Sequence, residues 1–217
     1  KEPLWLFNND MVFVNGRPLR AVGWEGDIDE NSYFIDYEAG QVYIGIDPAK
    51  HVIEITAFDG AMTRTTRDVH GKSSDRKGPT IRGLTFTHYA YRALEFEGHD
   101  PEGISPEAQH GKDVVGTLLE HCAITHCSRV AGYFRGDKLT IRHCLISDTS
   151  TEGISILSSN DVLPEKNIIR RNNVEKITGY YPAAVKIFNQ CYSVTCRDNP
   201  VYDQPNSHRI WYDVGDP

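Results

Sequence analysis

One short phrase recurs through the later part of this 217-residue chain, and it limits the possible folds more than any other feature. It runs apolar, charged, variable, small or Asn, variable, apolar. The copies are Ile81-Arg82-Gly83-Leu84-Thr85-Phe86, Leu119-Glu120-His121-Cys122-Ala123-Ile124, Ile141-Arg142-His143-Cys144-Leu145-Ile146, Ile169-Arg170-Arg171-Asn172-Asn173-Val174 and Cys196-Arg197-Asp198-Asn199-Pro200-Val201. They start 38, 22, 28 and 27 residues apart. Units of this size bury their apolar faces only by stacking on one another, as the coils of a solenoid do. A Leu-dense horseshoe consensus is missing, and β-branched residues in period-two alternation disfavour helix. The expected fold is all-β: a right-handed parallel β-helix with a small N-terminal antiparallel β unit.

The parts divide by their turn chemistry. Residues 1–58 read as the antiparallel unit: Met11 to Val14 enters Asn15-Gly16, a strong hairpin turn, and Ser32 to Tyr37 meets Gln41 to Gly45 across Glu38-Ala39-Gly40. His51 to Phe58 supplies its last strand. Residues 59–78 are rich in Gly, Asp, Arg, Ser and Lys without a sustained period and read as a linker or loop. Residues 79–217 read as the β-helix, truncated at its C-terminal end. The fourth phrase position holds Cys122, Cys144, Asn172 and Asn199, which predicts an internal ladder of thiols and amides.

A second strand follows most copies, in Ala93 to Glu97, Ala131 to Arg135, Gly153 to Leu157, Ala184 to Phe188 and Arg209 to Asp213. Alternation sends Ile154, Ile156, Val185, Ile187, Ile210 and Tyr212 inward. Two outward columns result: Glu95, Tyr133, Ser155, Lys186, Trp211, and beside it Glu97, Arg135, Leu157, Phe188, Asp213. Aromatic rings that stack on the apolar face of a pyranose stand there among groups suited to acid–base chemistry. A capping role for Trp211 and Phe188, and a surface ion pair of Glu97 with Arg135, are the plainer readings.

Charge and composition exclude other classes. A net charge of −7 and a pI near 5.7 oppose nucleic-acid binding, and the sequence has no apolar run long enough for a membrane span. His121 and His143 repeat beside Cys122 and Cys144, but no CxxC pair exists, so no metal site is expected. Five cysteines have no dense disulfide spacing.

The segment Ser207-His208-Arg209-Ile210-Trp211-Tyr212-Asp213-Val214-Gly215 resembles a Gly-Ile-Trp-(Leu/Tyr)-Asp phrase of β-helical glycosidases. That phrase belongs to the carbohydrate-active enzymes of the pectin-lyase-like superfamily, notably the β-xylosidases of glycoside hydrolase family 120. Segments Tyr181 to Ile187 and Asp10 to Leu19 resemble the wider group. The resemblance implies a bacterial, secreted protein, extracellular or periplasmic, that degrades polysaccharide or oligosaccharide. It assigns Asp213 as catalytic nucleophile. Lys186, Trp211, Phe188, Tyr133, Arg135 and Glu97 are the candidate substrate-binding residues, with Lys186 close enough to pair with Asp213.

Two departures stand out. Arg209 replaces the Gly, and the acid/base Glu of the resembled enzymes would lie a coil beyond Pro217. Retaining glycosidases need two carboxyls about 5 to 5.5 Å apart, so this segment alone is expected to be a poor catalyst. A polysaccharide lyase using Lys186 and Arg135 is the alternative, and only that reading brings in a cofactor, Ca²⁺. A non-catalytic carbohydrate-binding or structural fragment is the third reading. An uncapped solenoid end predicts an edge-mediated dimer.

Overall fold

A computed structural model describes residues 4–66, 70–97, 114–179, 181–204 and 206–213. Near the N-terminus, β1 (Val12–Val14) turns at Asn15 and Gly16 into β2 (Arg17–Pro18). Both turn residues have left-handed φ, 50° and 76°, as a two-residue hairpin of right-handed twist requires. β3 (Arg20–Ala21) runs parallel to β4 (Ser32–Asp36), which pairs antiparallel with β5 (Gln41–Ile44) across the expected turn. β6 (Ile53–Ile55) closes on β1. Val12, Val14, Leu19, Ala21 and Tyr33 form a small core for this unit.

The remainder winds through three parallel sheets. The first coil holds β7 (Met62–Arg64), β8 (Thr80–Arg82) and β9 (Thr85–Thr87). The second holds β10 (Arg92–Phe96), β11 (Leu118–Glu120) and β12 (Ala123–Thr125). β13 (Val130–Arg135), β14 (Thr140–Arg142) and β15 (Leu145–Thr149) make the third. The fourth is β16 (Glu152–Leu157), β17 (Asn160–Glu165) and β18 (Ile168–Asn172). β19 (Ala183–Phe188), β20 (Tyr192–Val194) and β21 (Val201–Tyr202) form the fifth, and β22 (His208–Tyr212) begins another turn. Every third strand is hydrogen-bonded to its equivalent, so the first sheet is β7, β10, β13, β16, β19, β22 in order. This is a parallel β-helix. The expected linker is corrected at Met62–Arg64, which pairs with β10 because Met62 continues the inward column of Leu94.

Inward columns are apolar on all three sheets. Leu94, Gly132, Ile154 and Val185 share one register in the first sheet, and Phe96, Phe134, Ile156 and Ile187 another. Ile154, Ile156, Val185 and Ile187 are buried as expected. Ile210 and Tyr212 continue these columns but remain 37% and 50% exposed, because among the described residues they have a coil on one side only. The expected dimer edge at Val214–Pro217 lies outside the described residues.

The recurrent phrase is a corner between the second and third sheets. Its copy in the fourth coil is corrected: Ile141 pairs with Pro164, and Ile146 with Ile169, so the true copy is Pro164 to Ile169. Ile169-Arg170-Arg171-Asn172 imitates the pattern five residues late. The ladder therefore runs through Asn167 rather than Asn172. Cys144 N donates to Asn167 Oδ1 (2.9 Å), and Asn167 Nδ2 donates to Asn199 Oδ1 (3.0 Å). Asn172 belongs to a parallel ladder at another corner, donating to Thr149 Oγ1 (2.8 Å) and accepting from Gln204 (2.8 Å). Each rung satisfies buried amides that would otherwise cost about 1–3 kcal/mol apiece. His121 and His143 stack at 5.0 Å on the outside of this corner, both with left-handed φ. All five cysteines are free, and burial pushes the Cys144 thiol up to about 11 and Cys127 to about 12. Those thiols are packing groups.

Candidate functional site on the first sheet

The outward column expected from alternation is present in register: Glu95 beside Tyr133, Tyr133 beside Ser155, Ser155 beside Lys186, Lys186 beside Trp211. Over its middle lies a cavity of about 540 Å³. The sheet supplies its floor through Tyr133, Glu152, Ser155, Lys186 and Phe188, with Arg92 and Val130 at one side. The walls are Phe7 from the N-terminal segment, Tyr91, Arg129, Thr151, Ile177 and Pro182.

Three polar groups converge on the floor. Lys186 Nζ lies 3.3 Å from Glu152 Oε1, and Ser155 donates to Glu152 Oε2 at 2.6 Å. Both members of the Lys186–Glu152 pair are largely buried, so their attraction is less screened than on an open surface. Lys186 also sits 5.5 Å from the Phe188 ring centre. Further along, the Arg92 guanidinium lies 3.8 Å over the Tyr133 ring and donates to Glu95 Oε1 at 2.5 Å. That arrangement orients Tyr133 from one side.

Of the residues singled out from sequence, Lys186, Phe188 and Tyr133 line this cavity. Trp211, Arg135, Glu97 and Asp213 do not. Trp211 carries on the column past Lys186, with Tyr181 stacked on it at 5.5 Å and His208 at 4.4 Å. Its indole N–H is buried and finds no acceptor among the described residues. Asp213 follows β22, donating its N–H to Ile187 O (2.8 Å), and so stands in register beside Phe188 at the cavity's end.

The second outward column is corrected in one respect. Arg135 and Leu157 are 5% and 1% exposed, so this part of the outer face is covered. At Gly136 the chain is pressed against Val114, whose carbonyl oxygen would lie 1.8 Å from any added Cβ. The plain surface pair of Glu97 and Arg135 is thus half-buried. Burial, and then a neighbouring Glu95, push the Glu97 carboxyl up, while Arg135 pulls the other way.

Glu152, Arg92, Arg129 and Phe7 were missed. The quoted strand copy began at Gly153, one residue after Glu152, although β16 includes it. Phe7 gives no signal, because its neighbour Arg129 is 122 residues away in sequence.

A family model described as a right handed beta helix region matches residues 72–213. The chain belongs to this family. Among solved structures, the complex of XylC with xylose is similar, with a TM-score of 0.64 and 14% sequence identity over 95% of this chain. This chain spans 41% of the length of that one. At that identity the likeness speaks to the fold, including the expected right-handed parallel β-helix. No curated protein matches in sequence.

Proposed function

We propose that this β-helix protein is a carbohydrate-active enzyme of the glycoside hydrolase type, with the cavity over the first sheet as its sugar site. One observation carries the reading: an apolar and aromatic cavity with a Lys186–Glu152–Ser155 cluster converging on its floor. Tyr133 and Phe188 offer faces to the C–H surface of a pyranose, and the cluster offers donors and an acceptor to its hydroxyls. The resemblance of the Trp-Tyr-Asp phrase, and a fold shared with a protein solved in complex with xylose, favour a neutral sugar. An extracellular or periplasmic setting is part of the same proposal and rests on the resemblance.

Hydrolysis of a glycoside uses two carboxyls flanking the bond. In this proposal Glu152, on the cavity floor, is the carboxyl beside the bond. Asp213 stands five residues further along the sheet and two strands across from it. That is roughly 19 Å between Cα atoms at about 3.3 Å per residue and 4.8 Å per strand, so the two do not flank one bond. Ser155 and Lys186 fix the Glu152 side chain, and Lys186 keeps a positive charge beside it. Trp211 continues the outward column past Lys186 along the solenoid axis. Neither a metal nor a cofactor is required by this chemistry.

The test is hydrolysis of xylobiose alongside calorimetric binding of xylose. Glu152→Gln is expected to lower turnover by about 100-fold or more with xylose still bound. Wild-type binding without turnover would make this a binding module. A second reading, a lyase with Lys186 as base, is favoured by the clustering of Arg92 and Arg129 with Lys186 around the cavity, cations that suit a uronate. An unsaturated, ultraviolet-absorbing product from an acidic polysaccharide would establish it instead.

A further inference from the structure

The cavity is closed on one side by a piece of chain that belongs to the other structural unit. Leu4–Phe7 forms a short 3-10 turn that runs into Asn8 and Asn9, and Phe7 is part of the cavity wall. Two independent anchors hold this strap. On its own unit, Trp5 packs against the small core, in a space that exists because residue 23 is glycine: a Cβ there would lie 2.6 Å from the indole nitrogen. On the β-helix, the corner Ser128-Arg129 grips the strap at three successive residues. Arg129 donates to Phe7 O and, through Nε, to Asn9 Oδ1 (2.8 Å), while Ser128 Oγ donates to Asn8 O (3.3 Å). The Arg129 guanidinium also lies 5.3 Å from the Phe7 ring centre.

The same arginine reaches the floor through its backbone. Arg129 O accepts from Thr151 N, Glu152 N (3.1 Å) and Thr151 Oγ1 (2.6 Å). A single residue therefore ties the wall to the strand end that presents Glu152. A planar guanidinium with several fixed donors suits this task, whereas a lysine offers a point charge with no fork.

We propose that Arg129 is a positioning residue that latches the N-terminal strap, and that Phe7 so held sets which sugars the cavity admits. The ligand class rests on the carbohydrate reading above; the latch does not. The N-terminal unit is then part of the binding site and not an appended module.

Amide hydrogen exchange across residues 4–9 in the full chain tests the latch without any ligand. Arg129→Ala is expected to speed exchange there at least tenfold, with Arg129→Lys between it and wild type and the amides of β13 and β16 unchanged. Unaltered exchange in Arg129→Ala would overturn the latch. If that variant also exchanges faster in β13 and β16, its effect is general unfolding and the latch is likewise overturned. Xylose and xylotriose binding tests the wall: Phe7→Ala should weaken xylose about tenfold and shift the ratio of the two affinities toward xylotriose. An unchanged ratio with wild-type xylose affinity would overturn the role of Phe7. Should neither sugar bind the wild-type protein, the carbohydrate reading and the selectivity it implies both fall, while the exchange result still decides the latch.

Discussion

The two sides of the first sheet obey different rules. Its inward columns repeat one chemistry from coil to coil, Leu94, Ile154 and Val185 in one, where Gly132 leaves its place to the ring of Phe134, and Phe96, Phe134, Ile156 and Ile187 in the other. Its main outward column changes at every rung, through Glu95, Tyr133, Ser155, Lys186 and Trp211. Stacking alone demands the first pattern, since each rung buries its neighbour. Nothing in stacking demands the second. In a repeat fold, the column that stops repeating is the place to look for function, and here it lies beneath the cavity.

The sharpest way to break the contrast is to damage the repetitive side. Ile156→Ala, at a fully buried inward position, should cost about 2–5 kcal/mol of stability, measured by urea unfolding. Asn167→Leu should cost somewhat less, about 1–3 kcal/mol, because it strands Cys144 N and Ile141 O, while Asn199 Oδ1 keeps the backbone N–H of residue 167. On the other side, Lys186→Met should reduce xylose affinity and cost about 1–3 kcal/mol of stability, since it leaves the largely buried Glu152 carboxylate without its cation.

A smaller effect belongs to the seam between the two units, where Glu175 lines a second cavity with Met11, Leu19 and Arg20. Burial raises its carboxyl to about 7, with Arg20 pulling the other way. A carboxyl raised on folding binds its proton more tightly in the native state, so the stability it contributes is present below about pH 4.5 and lost as pH rises toward 7. Glu175→Gln should remove that slope and stabilise the protein at pH 8 by about 1–3 kcal/mol, as thermal unfolding against pH would show. Least affected should be Arg82→Ala. Arg82 and Arg142 both bridge to Glu120 at 2.6 Å on the outer surface of the second sheet, and the melting temperature should not move measurably.

How much of this was readable in the sequence follows the same division. Period-two alternation placed the first-sheet columns in correct register, because a slip of one residue would have turned Ile154 and Val185 outward. The Asn15-Gly16 turn was legible for the same local reason. The corner phrase misled in the fourth coil, where Arg170-Arg171-Asn172 repeats its chemistry at a different corner, and only hydrogen bonding separates the Asn167 ladder from the Asn172 one. The site was half legible. Tyr133, Lys186 and Phe188 sit mid-strand, where parity speaks. Glu152 starts its strand, and Phe7 and Arg129 meet through chain topology, which no local pattern encodes. Asp213 was singled out by resemblance alone, and it stands beside Phe188 outside the cavity lining.

The central claim is that the changing outward column floors a sugar site. Crystals of the protein grown with xylobiose test it most directly. The account predicts a sugar ring over Tyr133 and Phe188, with hydroxyls within hydrogen-bond distance of Glu152 and Lys186. Xylobiose bound elsewhere on the molecule, with the cavity holding solvent alone, would contradict it.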